Sequence, residues 1–195
     1  QVAMVFQQFA LLPWRTVAEN VGFGLELAGM PEAERKVKVD KQLKRVLDCF
    51  SYQGGFALHA AKAGAHVIGV EMSEAALAVA RTNAQRNGIS DRCEWIAANV
   101  FDSLSAATKT RKPVPTSAPG NEIPVAAPQS SLSPLRPPFD LIILDPPTFT
   151  RNRETLDSAL RGYKEIHLRA LKLLKPGGYL ATFCCSHHVT GELFK

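Results

Sequence analysis

The feature that most constrains the fold is a regular alternation of short apolar runs and amphipathic stretches between Arg45 and Cys185. Strands that alternate with helices in this way form a parallel sheet with helices packed on its faces. The predicted strands span residues 46–50, 66–71, 93–97, 139–144 and 179–185. A chain of 195 residues with 46% hydrophobic content is long enough to bury one sizeable core. The pattern therefore predicts an α/β fold.

Helix signals fall between these strands. Ser73 is placed as the N-cap of an alanine-rich helix that ends near Gly88, and an earlier helix stops at Gly64. A longer helix follows residue 155, and Lys175, Pro176, Gly177 and Gly178 are expected to end it. Its predicted apolar face comprises Leu156, Leu160, Tyr163, His167, Ala170, Leu171 and Leu174.

Two segments depart from the α/β pattern. Residues 1–43 indicate a strand, a turn at Pro13, a short helix and a charged helix, and the boundary falls near Lys44. Residues 108–138 contain eight of the thirteen prolines and show no periodicity, which predicts a disordered insertion. We therefore expect an extension over residues 1–43 and a domain over residues 44–195 that this insertion interrupts.

Composition and charge restrict the classes of protein to which this chain can belong. No run of about 18 apolar residues suggests a membrane span and no leader is evident, so we expect a cytoplasmic chain. The four cysteines lack the spacing of a disulfide framework or a zinc site, and His187 and His188 are expected in a loop, so we expect free thiols and no metal. The net charge is +5, and residues 151–195 hold eight basic and four acidic side chains, which favours an anionic partner.

Ligands of a doubly wound sheet bind beyond the carboxyl ends of the strands. Gly54 and Gly55 follow the first strand and would let the backbone approach a ligand, although a simple turn is the alternative. The segment lacks the G-x-G-x-x-G pattern of dinucleotide folds. Glu71 could accept both hydroxyls of a ribose or could start a solvated loop. Asn99, with Val100 and Phe101, could hold an adenine ring, although this signal alone is weak.

Two further strand ends carry reactive groups. Asp145 precedes Pro146 and Pro147, and this rigid backbone suits a catalytic carboxylate, although it could simply terminate the strand. Cys184 and Cys185 must point to opposite faces of the last strand, so at most one of them faces the site. The alternative is that both thiols fill the core.

The combination of FSYQGGF, DPPTF, RGYKEI and CCSHH resembles the bacterial class I methyltransferases that make 5-methylcytosine in 23S ribosomal RNA. The resemblance covers residues 44–194 outside the insertion and implies a Rossmann-like sheet, S-adenosylmethionine as cofactor and ribosomal RNA as partner. It also implies that Cys185 is the nucleophile and that Asp145 stabilises charge on the base and contacts the cofactor. The remaining cofactor-binding residues implied are Phe50, Ser51, Gly54 and Gly55 for the methionine part, Glu71 for the ribose and Asn99 for the adenine.

The chain also differs from the members of that family. Its members carry an RNA-binding domain and a connecting region ahead of this fold and two further strands after the cysteine strand, so we expect a sheet incomplete at its C-terminus and a non-native N-terminal extension. The front segment VAMVFQQFALLPWRTVAENVGFGLELAGMP resembles the Q-loop region of ABC transporter ATPases, with Gln7 in the loop. No phosphate-binding loop accompanies it, so a fusion is the simplest hypothesis.

Two alternatives stay open at this point. The first keeps S-adenosylmethionine and moves the methyl group to guanine or to an amino group. The second is an inactive, truncated chimera whose missing strands expose the sheet edge. The sequence does not predict the oligomeric state or the exact target nucleotide.

Overall fold

Six parallel strands form one sheet in the computed structural model, which describes residues 2–6, 29–34, 44–110, 135–150, 154–185 and 189. The sheet order is β1-β6-β5-β2-β3-β4. The strands are β1 (Val2–Phe6), β2 (Arg45–Cys49), β3 (His66–Glu71), β4 (Cys93–Ala97), β5 (Phe139–Leu144) and β6 (Leu174–Cys184). The predicted α/β class is confirmed.

Helices cover both faces of this sheet. They are α1 (Gly55–Lys62), α2 (Glu74–Arg86), α3 (Val100–Thr110) and α4 (Leu156–Leu173). Successive residues of a strand face opposite ways, so Leu47 joins the core cluster that includes residues of α3 and α4, whereas Val46 joins the cluster with α1. Ser73 caps α2 by accepting a hydrogen bond from the Ala76 amide at 3.3 Å, as predicted.

The predicted bounds of β3, β4 and β5 are confirmed, but two other strands differ. β2 ends at Cys49 because Phe50 has a φ of 63°, which is outside the extended region. β6 already begins at Leu174, which pairs with Phe139 before a register shift brings Tyr179 opposite Leu141. The Lys-Pro-Gly-Gly segment, which was expected to end the long helix, therefore lies inside an irregular strand, as does Leu174.

The predicted apolar face of α4 is partly wrong. Its buried residues are Ala159, Tyr163, Ile166, Ala170 and Leu173. The prediction left out Ile166, which is completely buried, and included Leu171, which is 45% exposed. The buried stripe is therefore rotated relative to the predicted one. The helix also packs on the sheet through its small residues Ala159 and Ala170.

A helix that the sequence analysis did not predict follows β4. Asn99 lies immediately before α3, and its side-chain oxygen accepts a hydrogen bond from the Phe101 amide at 2.8 Å. Residues 108–110, placed in the predicted disordered insertion, form the last turn of α3. Residues 111–134 of that predicted insertion lie outside the described residues.

The first residues of the chain add an edge strand to the sheet. β1 pairs in parallel with β6 over five residues, from Val2 opposite Leu180 to Phe6 opposite Cys184. The expectation that this edge of β6 is exposed is therefore wrong. The predicted turn at Pro13 and the predicted loop position of Gln7 lie outside the described residues. Within the described ranges, no helix has the length and apolar character needed to cross a membrane.

Candidate active site

The candidate site lies where the order of the strands reverses. The chain runs from β2 outward to β3 and β4, and then returns to place β5 on the other side of β2. Cys49 pairs with Leu144 at the carboxyl ends of these two central strands, and the Asp145 amide donates to the Cys49 carbonyl at 3.4 Å. Such a reversal opens a crevice that parallel α/β sheets use for ligands.

The turn between β2 and α1 has an unusual backbone. Phe50, Tyr52 and Gly54 have φ values of 63°, 50° and 83°. The Gly54 amide donates to the Ser51 carbonyl at 2.8 Å, which closes the turn. A Cβ atom on Gly54 would lie 2.6 Å from Cη2 of Trp95. Glycine is therefore required here both by the backbone conformation and by the indole beside it.

Asp48 lies beneath this turn, and the sequence analysis did not single it out. One carboxyl oxygen accepts a hydrogen bond from the Ala57 amide at 3.0 Å. Among the described residues, neither its other oxygen nor the buried hydroxyl of Ser51 has a hydrogen-bond partner. Burial raises the pKa of Asp48 to about 8, and the charges of Asp145 and Glu71 add to this against the Ala57 hydrogen bond.

Glu71 ends β3 and is held by two backbone amides. Its Oε2 accepts from the Tyr52 amide at 3.1 Å, and its Oε1 accepts from the Ser73 amide at 2.9 Å. These bonds orient the carboxylate and join the turn after β2 to the turn after β3. Each carboxylate oxygen can accept a second hydrogen bond, so the predicted contact with a ribose is compatible with this geometry.

Asn99 is exposed, but its oxygen already caps α3. Val100 is 3% exposed and belongs to the core, so the prediction that it offers surface to an adenine ring is wrong. Phe101 is partly buried and packs edge-on against Phe50, with ring centroids 6.5 Å apart. Phe149 contacts both rings. An aromatic cluster therefore lines the carboxyl side of the sheet.

Asp145 follows β5 at the edge of the crevice. Its side chain is partly buried, and burial raises its pKa to about 6. Pro146 is buried and Pro147 is exposed. The carboxyl group is thus held near a boundary between protein and solvent, where it can exchange a proton close to neutral pH.

The two cysteines separate as strand geometry predicts. Cys184 is buried in the core, whereas Cys185 is partly buried and its sulfur lies 3.3 Å from the Pro146 carbonyl oxygen. The hydroxyl of Thr148 is 3.0 Å from the same sulfur. The structure therefore brings Cys185 to the loop that begins with Asp145. His187 and His188 lie outside the described residues.

The sequence analysis missed three residues of this region. Asp48 could have been noticed because it is a single acidic residue in an apolar strand. No comparable signal marks Trp95 or Thr148, because their roles depend on contacts between distant segments. In the portion of the chain that the structure describes, no three potential metal ligands converge.

Comparison with known proteins agrees with this geometry. A family model for a methyltransferase domain matches residues 40–194. The chain belongs to the methyltransferase domain family. The family match begins close to the boundary predicted near Lys44, and the comparisons do not support the ABC ATPase fragment predicted for the segment ahead of it.

Relatives of this methyltransferase domain include proteins named ribosomal RNA large subunit methyltransferase I. The protein from Klebsiella pneumoniae strain 342 is 36% identical over 178 residues, covering 90% of this chain and 38% of the relative. The protein from Cronobacter sakazakii is 39% identical, with the same two shares. The chain therefore spans about two fifths of the length of these curated relatives.

Solved structures share the fold of this methyltransferase domain. The structure of SMU.776 complexed with SAH is 22% identical and has a TM-score of 0.54, covering 85% of this chain and 39% of that one. The SAM-dependent methyltransferase from Agrobacterium tumefaciens is 20% identical with a TM-score of 0.55, covering 91% and 47%. These likenesses support the Rossmann-like architecture, and the family supports S-adenosylmethionine as cofactor.

Proposed function

We propose that this domain transfers a methyl group from S-adenosylmethionine to C5 of a cytosine in large-subunit ribosomal RNA. The observation that carries the proposal is the position of the Cys185 thiol, 3.3 Å from the carbonyl of Pro146 and next to the Asp145 loop at the strand reversal. The relatives named ribosomal RNA large subunit methyltransferase I support ribosomal RNA as the substrate. The cytoplasm stays the expected compartment.

The charge at the strand ends fits this cofactor. S-adenosylmethionine carries a positive sulfonium and a positive ammonium group. Asp48, Glu71 and Asp145 bring three carboxyl groups toward one region, and the Asp48 oxygen and Ser51 hydroxyl described above have no partner among the described residues. A buried carboxyl group with a raised pKa is stabilised in its charged form by a nearby cation. This acidic region, in which one oxygen of Asp48 has no partner among the described residues, therefore favours a cationic ligand.

The residues proposed to hold the cofactor surround this pocket. Gly54 and Gly55 shape the turn toward the methionine part, Glu71 accepts ribose hydroxyls, and Asn99 lies on the adenine side. Phe50, Ser51 and Asp145 are proposed to complete the methionine end. When bound, the cofactor supplies an electrophilic methyl group.

Cytosine C5 is a poor nucleophile, so the base must first be activated. The Cys185 thiolate adds to C6, and the electrons of the C5–C6 double bond form a C4–C5 double bond. The electrons of the C4–N3 double bond then take up a proton from Asp145 at N3, which leaves C5 nucleophilic. With a pKa of about 6, Asp145 can hold and return this proton near neutral pH. After methyl transfer, the C5 proton is lost to solvent, the C5–C6 double bond forms again and the Cys185 thiolate leaves C6 with the bonding electrons, while N3 returns its proton to Asp145.

Basic side chains on α4 suit the phosphates of an RNA. Arg161, Lys164 and Lys172 are exposed on this helix. Arg169 is held in place because it pairs with Glu165 at 2.5 Å and donates to the Phe101 carbonyl at 2.7 Å. Binding through such charges weakens as salt concentration rises.

Replacement of Cys185 tests the nucleophile directly. Cys185→Ala is expected to abolish methylation of a large-subunit ribosomal RNA transcript and the covalent adduct formed with RNA that contains 5-fluorocytosine. The measurements are transfer of a radiolabelled methyl group and a gel shift under denaturing conditions. Cys93→Ala, which removes a partly buried thiol of β4, is the matched control and should keep both signals.

Methylation that persists in Cys185→Ala would contradict the cytosine mechanism. It would favour the alternative in which the Asp145 carboxyl group accepts a proton from an amino group or a guanine. The methylated nucleoside, identified by mass spectrometry after digestion, distinguishes these targets.

A further inference from the structure

We propose that Thr148 is a positioning residue for Cys185, and that its hydroxyl turns from the Cys185 carbonyl to the Cys185 sulfur when the thiol loses its proton. The inference rests on the proposed function only in that it takes Cys185 to be the nucleophile. The contact between the two side chains is a separate observation.

Three short contacts define the arrangement. The Thr148 hydroxyl oxygen lies 3.0 Å from the Cys185 sulfur and 3.3 Å from the Cys185 carbonyl oxygen. The Cys185 sulfur lies 3.3 Å from the carbonyl oxygen of Pro146. Both acceptors within reach of the Thr148 hydroxyl therefore belong to the same residue.

The protonation state of the sulfur decides which bonds form. A protonated thiol donates to the Pro146 carbonyl, and the Thr148 hydroxyl then donates to the Cys185 carbonyl. A thiolate has no proton to donate, so its contact with the Pro146 carbonyl oxygen becomes repulsive. The Thr148 hydroxyl can then donate to the charged sulfur by rotating about a single bond. A hydrogen bond to an ionised group is stronger than one between neutral groups.

The backbone holds these partners in place. Leu144 of β5 pairs with Thr182 of β6, so the two chain segments leave the sheet side by side. Two consecutive prolines then restrict the loop that carries Thr148. Thr148 is itself exposed, so a substitution there removes the hydroxyl without opening a cavity in the core.

Among the described residues, Asp145, His167 and Asp48 are titratable groups of this region whose pKa is shifted. Asp145 begins the loop, and burial raises its pKa to about 6. His167 of α4 contacts the Thr182 hydroxyl at 2.7 Å, and burial lowers its pKa. Above pH 7.5 both groups largely keep one charge state. Asp48 titrates in the same window but is unchanged in every variant compared, so the difference between the profiles of two variants follows the thiol.

The test compares Thr148→Val with Thr148→Ser in the full chain. The rate of Cys185 alkylation by iodoacetamide is measured between pH 7.5 and 10 by mass spectrometry of the modified peptide. Valine keeps the size and branching but has no hydroxyl, so we expect alkylation at pH 7.5 to fall about tenfold and the profile to move to higher pH. Serine is expected to restore the rate to within about twofold. Cys93, alkylated in the same sample, is the internal control.

Unchanged alkylation of Cys185 in Thr148→Val would overturn the proposal, as would a serine variant that behaves like valine, since the hydroxyl alone would then not sustain the rate of alkylation. Thr148→Ala repeats the loss of the hydroxyl with a smaller side chain and must give the same shift. The assay uses neither RNA nor cofactor. Methylation retained by Cys185→Ala would therefore reject the proposed function while leaving the hydroxyl contact measurable.

Discussion

The single buried side chain of Asp48 makes the stability of the fold depend on pH. Burial is the largest cause that raises its pKa to about 8, so the folded chain binds this proton more tightly than the unfolded chain does. Stability falls with pH wherever the folded state holds more protons. The contribution of Asp48 is therefore fully present below about pH 4 and is lost as pH rises to about 8.

We predict that Asp48→Asn flattens this pH dependence. The wild-type free energy of unfolding should fall by on the order of 2–4 kcal/mol between pH 5 and pH 8 through this group, because each unit of pKa shift corresponds to about 1.4 kcal/mol. Urea unfolding at both pH values measures the slope. Asp102→Asn, at an exposed position of α3, is the control and should retain the wild-type slope. An equal slope in Asp48→Asn would contradict the assignment.

At the scale of the element, α4 has two different faces. Ile166 is fully buried against the sheet, whereas Leu171, five residues later, is 45% exposed. Both are large aliphatic side chains on the same helix. Replacing each by alanine therefore separates the effect of burial on the free energy of unfolding from the effect of helix propensity. Truncation of a buried aliphatic side chain loses its transfer free energy and leaves a cavity.

We therefore expect Ile166→Ala to reduce the free energy of unfolding by about 2–4 kcal/mol. Leu171→Ala should change it by no more than about 1 kcal/mol, because exposed positions contribute little. Urea titration monitored by far-ultraviolet circular dichroism compares the two variants. Equal losses would mean that the helix packs through a different face.

The elements were predictable where local pattern decides their bounds. The bounds of β3, β4 and β5 coincide with the ends of their apolar runs, so these bounds were predicted correctly from the sequence. β6 starts at Leu174 because that residue pairs with Phe139, a long-range contact that periodicity does not reveal. α3 was missed although its signal is local. Asn99 is an N-cap residue and Asp102 lies in the first turn, a combination that favours a helix start.

At the scale of the whole molecule, topology explains why the placement of the proposed site residues at one edge of the sheet could be predicted. Side chains at the carboxyl ends of parallel strands gather at one edge of the sheet, so the positions of Glu71, Asp145 and Cys185 follow from the strand pattern. The contact between Thr148 and Cys185 does not follow from it. It depends on how two loops leave β5 and β6, which is decided by tertiary packing.

The edge of the sheet is a second property of the whole molecule. An unpaired β6 would offer a row of free backbone groups to other chains. β1 pairs with all of the residues from Leu180 to Cys184. Residues 2–6, which lie ahead of the methyltransferase match, therefore form a strand of the same sheet.

The central claim is that the strand ends form a pocket for S-adenosylmethionine, and calorimetric titration of the full chain with this cofactor tests it most directly. We predict a Kd on the order of micromolar. A cation that lowers the raised pKa of Asp48 must also release a proton, so the heat should depend on the ionisation enthalpy of the buffer, and affinity should rise from pH 6 to pH 8. No binding by a sample that unfolds cooperatively would contradict the account and favour the inactive chimera.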